Sequence, residues 1–307
     1  MKYFILVFNL LVSSAIFSQD TAIYSQTEII YGRKDGLALT MTVLTPKKAN
    51  GKAIISLNSG GWVSDYNSQN SYLKTSLPFV NSGYTVFLTT HSSIPRYAIP
   101  DAFEDVQRAI QYIRFNSSIY KIDKDYIGIT GTSSGGHLAL LAATRDDILN
   151  ANSKDPIGKV SSKVQAAAVF CPPTDFLNFG ELGFNPNTQK QFLQEMGVLG
   201  AFQYTKWDSI TNTYLIIENK DEKLVLDSLI SPAEMVTVDD APVYLMHGDK
   251  DDVVPIQQSQ LMEKKLKDAG VPAILNVKKG AGHGWKNMNE DEKEFIKWFD
   301  KYLKVTR

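Results

Sequence analysis

YIGITGTSSGGHLALLA, residues 126–142, carries the strongest structural signal in this chain. It begins with a short apolar run and ends in an apolar segment that favours a helix. Between them lies Gly131-Thr132-Ser133-Ser134-Gly135, a G-x-S-x-G pattern. This pattern between a strand and a helix is typical of a sharp turn that presents a nucleophilic serine. We therefore predict that Ser133 is a nucleophile on such a turn.

Two alternatives accompany this motif. Ser134 fits the pattern poorly as the nucleophile, because Thr132 would then stand in place of the leading glycine. The second alternative is that the whole motif is a glycine-rich turn that only packs a helix on a sheet. The N-terminal end of the following helix carries a partial positive charge, which suits a site where negative charge develops.

Short apolar runs on both sides of the motif predict the sheet. Two β-rich runs at 27–31 and 38–44 predict an antiparallel hairpin. Six further runs have apolar residues on both faces, which is typical of parallel strands covered by helices on both sides. These six runs lie at 53–57, 84–88, 126–129, 166–170, 243–246 and 273–277.

Helical patterns alternate with these runs. Residues 102–113 carry one apolar stripe after Pro100, and Asn289 with Glu292 has the spacing of a capping box before the last helix. This alternation predicts an α/β fold with a mostly parallel, twisted sheet and helices on both faces. Residues 176–229 break the rhythm and show no clear strand, so we interpret them as an insertion, or cap, before the run at 243–246.

Composition limits the classes of function. Lys and Arg number 32 against 33 Asp and Glu, giving a formal net charge of -1, which argues against nucleic-acid binding and against a polybasic membrane signal. The length of 307 residues allows one domain or two, and the placed motifs favour one α/β domain over residues 19–307. The single Cys171 excludes an internal disulfide and a multi-cysteine metal site.

The first 18 residues predict a secretory signal peptide. Met1-Lys2 gives a positive start, residues 4–12 are apolar apart from Asn9, and small residues follow. The alternative is a membrane anchor, but polar residues 18–20 arrive before the roughly 20 apolar residues that a span requires. We expect cleavage after Ser18, or otherwise after Ala15, and a secreted or periplasmic protein without stable membrane insertion.

A nucleophilic serine needs a base, usually a histidine held by a carboxylate that precedes it in the chain. His283 lies in a glycine-rich loop between the last predicted strand and the last helix, so we predict it as the base. The alternative is an inert, exposed loop histidine. The loop after the strand at 243–246 offers Asp249, Asp251 and Asp252 as the carboxylate, and the residues alone do not choose among them.

When a serine attacks a carbonyl group, the carbonyl oxygen becomes negatively charged and needs hydrogen-bond donors. One expected donor is the backbone N–H of Ser134, directly after the nucleophile. The other comes from the loop after an earlier strand, where Gly60 and Gly61 leave their N–H groups accessible. The alternative is that these two glycines only form a tight turn.

These motifs resemble the α/β-hydrolase superfamily, in particular secreted serine esterases of the acetyl-xylan and feruloyl esterase (BD-FAE-like) type. Residues 131–139 are similar to the family's G-x-S-A-G-G-H-L-A, with Ser134 in place of Ala. Residues 247–255 resemble its acid loop, in which the second Asp belongs to the triad, so the resemblance assigns Asp251. Gly282-His283-Gly284 resembles its histidine loop, and the likeness runs from about Asn58 to the last helix.

Two positions depart from the family pattern. The family motif H-G-G-G-W appears here as Asn58-Ser59-Gly60-Gly61-Trp62. The Tyr-Arg pair that the family usually has after the next strand is replaced here by residues 90–93, which include His91. Trp62 and His91 are therefore candidate substrate contacts. The alternative for His91 is a structural hydrogen-bonding role.

The resemblance implies a serine esterase, a carboxylic ester hydrolase, that needs no metal or cofactor. Ser133, Asp251 and His283 would form an acyl-enzyme with small-molecule or polysaccharide esters, such as acetyl or feruloyl groups on plant polysaccharide. Aromatic residues of the insertion would either cover the acyl group or pack the insertion on the core; these are Phe184, Phe192, Tyr204 and Trp207.

Two other functions remain open from the sequence. A serine exopeptidase of the prolyl-oligopeptidase-like type shares this layout, but its nucleophile is usually followed by an aromatic residue, where this chain has Ser134. A catalytically silent binding protein with the same fold is the other alternative, and the three filled triad positions argue against it.

Overall fold

The apolar runs predicted from the sequence become the strands of one central sheet. The computed structural model describes residues 23–147, 149 and 151–304. The predicted signal peptide, residues 1–18, lies outside these residues and stays a prediction.

Within the described residues the chain forms ten strands and eight α-helices. The strands are β1 (Tyr24–Lys34), β2 (Leu37–Pro46), β3 (Ala53–Leu57), β4 (Thr85–Thr89), β5 (Ile127–Thr132), β6 (Ala166–Phe170), β7 (Thr205–Asp208), β8 (Thr213–Ile216), β9 (Val243–Gly248) and β10 (Ala273–Lys278). The helices are α1 (Gln69–Asn81), α2 (Ile99–Phe115), α3 (Ser117–Tyr120), α4 (Ser134–Thr144), α5 (Lys190–Glu195), α6 (Lys220–Leu229), α7 (Gln257–Asp268) and α8 (Met288–Tyr302).

Eight strands form the large sheet in the order β1-β2-β4-β3-β5-β6-β9-β10. β2 pairs antiparallel with β1 and with β4, and every other neighbouring pair in this sheet is parallel. Each of the eight lies at a predicted run, so the α/β prediction is confirmed. β3, β4 and β6 are buried at every position, which is why their sequences are continuous apolar runs.

Helices cover both faces of the sheet. Successive strand residues point to opposite faces, and β3 shows the consequence: Ile54 belongs to the core beneath α1 and α8, whereas Ile55 belongs to the core beneath α2, α4 and α7. The carboxyl ends of the parallel strands share one edge, where ligand sites of such sheets lie. The loops after β3, β5, β9 and β10 at this edge carry the predicted site residues.

The segment predicted as an insertion lies between β6 and β9. The expectation that it contains no strand is wrong, because β7 and β8 pair as a short antiparallel hairpin. Seven of its eight strand residues are exposed, so no alternation between an apolar and a polar face marks these strands in the sequence.

The start of α8 also differs from expectation. Its N-cap is Asn287, which has a φ of 66° and makes no side-chain capping bond. The predicted capping box of Asn289 and Glu292 therefore does not form, and Glu292 is buried instead. No helix in the described part of the chain is long and apolar enough to cross a membrane.

The core under α8 depends on Phe299. Its ring is fully buried, and its centroid lies 6.0 Å from that of Phe79 and 6.5 Å from that of Tyr84. Phe299→Ala should lower the free energy of unfolding in urea by about 3–5 kcal/mol, because it leaves a cavity. The control Phe115→Ala removes a ring that is 46% exposed and should cost under about 1 kcal/mol. Equal losses would contradict this view of the core.

Candidate active site

Ser133 lies between β5 and α4 on a strained turn. Its φ of 56° and ψ of -122° are unusual for a residue with a side chain. The turn needs glycine nearby, because a Cβ on Gly131 would lie 2.4 Å from the carbonyl carbon of Gly135. Ser133 N–H donates to the Phe170 carbonyl, and His137 N–H donates to the Ser133 carbonyl, both at 2.9 Å. The strand–turn–helix context predicted for Ser133 is present.

Asp251 and His283 lie close together because they follow β9 and β10, which are parallel neighbours. His283 Nδ1 donates to Asp251 Oδ2 at 2.8 Å. The other two candidate carboxylates do different things: Asp249 Oδ1 accepts the Gly280 N–H at 2.6 Å, and Asp252 is exposed. The structure thus singles out Asp251 as the partner of His283.

The Asp251 carboxylate is buried and surrounded by donors. Oδ1 accepts the N–H groups of Val253 and Val254, both at 2.9 Å, and Oδ2 lies 3.1 Å from His247 Nε2. Burial raises the pKa of Asp251, but hydrogen bonds from His247, His283 and the Val254 N–H lower it by more. The pKa therefore lies well below its usual range, and the carboxylate stays ionised beside His283.

Two further groups, Cys171 and His247, lie behind this carboxylate. Cys171 and His247 each place a side-chain atom within 4.8 Å of the Asp251 carboxylate and of one another. Burial, together with the Asp251 charge and despite a hydrogen bond from the Gly248 backbone, raises the pKa of Cys171 to about 12. Metal sites need a thiolate, so this protonated thiol suits contact with a carboxylate better than metal binding. The position of His247 at the start of the acid-loop motif indicates in the sequence that it lies close to Asp251.

The predicted oxyanion donors are only partly available. Gly60 N–H donates to the Val63 carbonyl at 2.9 Å, and Val63 N–H donates back at 3.0 Å. The prediction of Gly60 as a donor is therefore wrong, since its N–H is already bonded. Gly61 is not part of this bridge and lines the same cavity as Ser133 and Ser134. Gly61 and Ser134 stay the predicted donors.

A cavity of about 410 Å³ brings the predicted residues together. Ser133 and His283 both line it, as does Trp62. His91 does not: it is buried elsewhere, and its Nδ1 donates to the Ser92 carbonyl at 2.7 Å. The prediction of His91 as a substrate contact is wrong, and the structural alternative describes it.

The insertion supplies most of the apolar wall of this cavity. Of the four aromatic residues singled out in the sequence, only Phe192 lines it. Phe184 packs on Phe192, with ring centroids 5.6 Å apart, Tyr204 donates its hydroxyl to Asp227 at 2.7 Å, and Trp207 is exposed. Several other apolar side chains of the wall were not predicted from the sequence, namely Phe176, Phe179, Leu193, Met196, Val198 and Phe202.

His137 joins three parts of the site. Its Nδ1 accepts the Trp62 indole N–H at 3.1 Å, and its Nε2 donates to the Ile230 carbonyl at 2.7 Å. Burial lowers the pKa of His137 to about 4, although the bond to Ile230 opposes the shift. The ring is therefore neutral at neutral pH, and it holds the loop with Gly61, the helix after Ser133 and the end of the insertion in place.

His137 gives a testable acid dependence. Its pKa rises from about 4 to the usual 6.5 on unfolding, so the unfolded chain takes up the proton first as the pH falls. His137 should therefore reduce the free energy of unfolding by about 3 kcal/mol between pH 6.5 and pH 4. His137→Gln keeps an acceptor and a donor but does not titrate, so its urea unfolding should lose less stability over this range. Identical pH profiles would contradict this role.

Comparison with known proteins agrees with the geometry. The BD-FAE family model matches residues 41–266. The esterase LipQ of Mycobacterium tuberculosis is 29% identical over 226 residues, which cover 72% of this chain and 47% of that protein. The chain spans about half, or less, of the length of the curated relatives it matches.

Solved structures show the same fold. A truncated carbohydrate esterase from gut microbiota has a TM-score of 0.70 and 25% identity, covering 91% of this chain and 98% of its own. An acetyl ester-xyloside bifunctional hydrolase from Caldicellulosiruptor lactoaceticus has a TM-score of 0.68 and 22% identity, covering 90% and 96%. Since the family model matches well over half of the chain, the chain belongs to the BD-FAE family and has the α/β-hydrolase fold.

Proposed function

We propose that this protein is a serine carboxylesterase that works through an acyl-enzyme. One observation carries the proposal: His283 is hydrogen-bonded to the buried, ionised Asp251 and shares a cavity with Ser133 on its strained turn. A base that is held by a carboxylate and shares a cavity with a serine is the arrangement that nucleophilic ester cleavage uses. Membership of the BD-FAE family and the likeness to named esterases support it.

In the first half of the reaction, Ser133 Oγ attacks the ester carbonyl carbon while His283 takes the hydroxyl proton. Nδ1 of His283 is bonded to Asp251, so Nε2 is the nitrogen that receives this proton. Asp251 fixes the ring orientation and stabilises the imidazolium. The N–H groups of Gly61 and Ser134 stabilise the oxyanion, and the leaving alcohol takes the proton from His283 as the C–O bond breaks.

In the second half, water replaces the alcohol. His283 removes a proton from the water as its oxygen attacks the acyl carbon, and then returns this proton to Ser133 Oγ when the acyl-enzyme bond breaks. The products are a carboxylic acid and free enzyme. Every proton passes through His283, so the Asp251 contact is used in both halves.

The cavity favours an uncharged, apolar acyl group of more than two carbons. Its volume of about 410 Å³ lies in the range of roughly 300–1,000 Å³ typical of sites for drug-sized ligands. Phe176, Phe192 and Phe202 supply ring surface, and His283 is the one ionisable basic side chain on its described wall. Of the acetyl and feruloyl esters of plant polysaccharide, we infer that the aromatic feruloyl group fits better. The names of the similar carbohydrate esterase and acetyl ester hydrolase support a carbohydrate-linked ester.

Substitution of the carboxylates tests the triad. Asp251→Asn should lower kcat on p-nitrophenyl butyrate by about 10⁴-fold, because the amide no longer holds His283 in the required form. Asp252→Asn is the matched control, since this exposed neighbour makes no bond to His283, and its kcat should stay within about twofold of the unsubstituted enzyme. A comparable fall in both variants, or unchanged kcat in Asp251→Asn, would contradict the assignment.

Acyl preference tests the cavity. With one leaving group throughout, kcat/KM should rise from p-nitrophenyl acetate to the butyrate and the ferulate. Phe192→Ala removes part of the wall and should reduce kcat/KM for the ferulate by about tenfold, the value of about two buried methylene groups, with little change for the acetate. Trp207→Ala, an exposed aromatic of the same insertion, should change neither. A preference for acetate that Phe192→Ala leaves intact would refute the inferred acyl class.

A further inference from the structure

A second cavity lies beside the catalytic one, between α1 and α8 and over the carboxyl ends of β3 and β5. Its volume is about 220 Å³, enough for several water molecules or one small ligand. Tyr72 and Thr132 line both cavities, and Thr132 directly precedes Ser133. The second cavity is thus a neighbour of the catalytic site with walls largely of its own.

Glu292 is the unexplained group on this wall. It is only 4% exposed, and its Oε2 has no hydrogen-bond partner. A buried polar atom without a partner is rare in native proteins and costs stability, so it calls for a bound ligand or water. Burial raises the pKa of Glu292 to about 8, so its carboxyl is protonated at neutral pH and is able both to donate and to accept a hydrogen bond.

The other wall residues define the chemistry of the ligand. Thr75, Thr130 and Tyr72 bring hydroxyl groups, Asn289 brings an amide, and Phe79 brings an apolar ring face. No Lys, Arg or His lies among the described lining residues, so an anion has no counter-charge there. Glu292 is the single acidic residue among them, which is too few ligands for a divalent cation.

We propose that this cavity binds a small uncharged molecule with several hydroxyl groups, a polyol or a monosaccharide, at a site separate from the catalytic cavity. Its neutral carboxyl, hydroxyls and amide match alternating donors and acceptors on such a ligand, and the ring surfaces match its C–H faces. The site does not depend on the proposed esterase activity, so each can fail without the other.

D-xylose is the probe, and ligand-observed NMR titration of the full chain measures its binding. Binding should be saturable and should persist after Ser133 is blocked with phenylmethylsulfonyl fluoride. Glu292→Leu should weaken it by roughly tenfold, the value of about one hydrogen bond. Glu290→Gln is the matched control: it is exposed on the same helix, lies outside the cavity, and should bind as the unsubstituted protein does.

The pH dependence of D-xylose binding distinguishes the contribution of the Glu292 carboxyl from that of the cavity shape. The affinity for D-xylose should fall between pH 7 and pH 9, because Glu292 then ionises and no longer donates, whereas Glu292→Gln should keep its affinity. Tyr72 on α1 is the other titratable lining side chain; burial raises its pKa, despite a hydrogen bond with the Ser59 backbone, so it does not titrate in this range. The lining residues from β3, β5 and β6 carry no charge.

Three results would overturn the proposal. One is the absence of saturable D-xylose binding by the unsubstituted protein. Another is equal affinity in Glu292→Leu, which retains the cavity without the carboxyl. The third is loss of binding when Ser133 is blocked, which would place the sugar in the catalytic cavity instead.

Discussion

The hydrogen bonds of the Asp251 carboxylate are the interactions on which the rest of the site depends. A buried charge is tolerated only where donors surround it, and here they come from the loop after β9 and from His283 after β10. The pairing of these two parallel strands sets the distance between the loops. The same contacts keep the carboxylate ionised and orient the His283 ring, so the charge and the catalytic geometry both depend on this pairing of two strands.

Strain at Ser133 is the second constraint, and the surrounding structure balances it. Because Gly131 and Gly135 have no side chains, their backbones can approach each other closely. The hydrogen bond from Ser133 N–H to the Phe170 carbonyl ties the turn to the neighbouring strand β6. His137 then ties the helix after this turn to Trp62 and to the end of the insertion. The serine, the predicted oxyanion loop and the apolar wall therefore form one packed unit.

Buried parallel strands and motif loops could be predicted because their determinants are local in sequence. β3 and β6 read as apolar runs, and Ser133 and His283 stand in short glycine-rich motifs, while the choice of Asp251 needed the family resemblance. What could not be predicted depends either on contacts between distant segments or on local turns that carry no sequence pattern. The Gly60–Val63 bridge, the burial of Glu292 and the part of the insertion that faces the cavity leave no periodic pattern, and the exposed β7–β8 hairpin has no apolar face to mark it.

Covalent labelling tests directly whether Ser133 is the nucleophile. A fluorophosphonate reacts with a serine only where a base and oxyanion donors activate it. After reaction of the native protein, tryptic digestion and fragmentation mass spectrometry should locate one adduct on Ser133, and the Asp251→Asn protein should label far more slowly. An adduct on Ser134, or no adduct in the native protein, would contradict the assignment of Ser133 as the nucleophile.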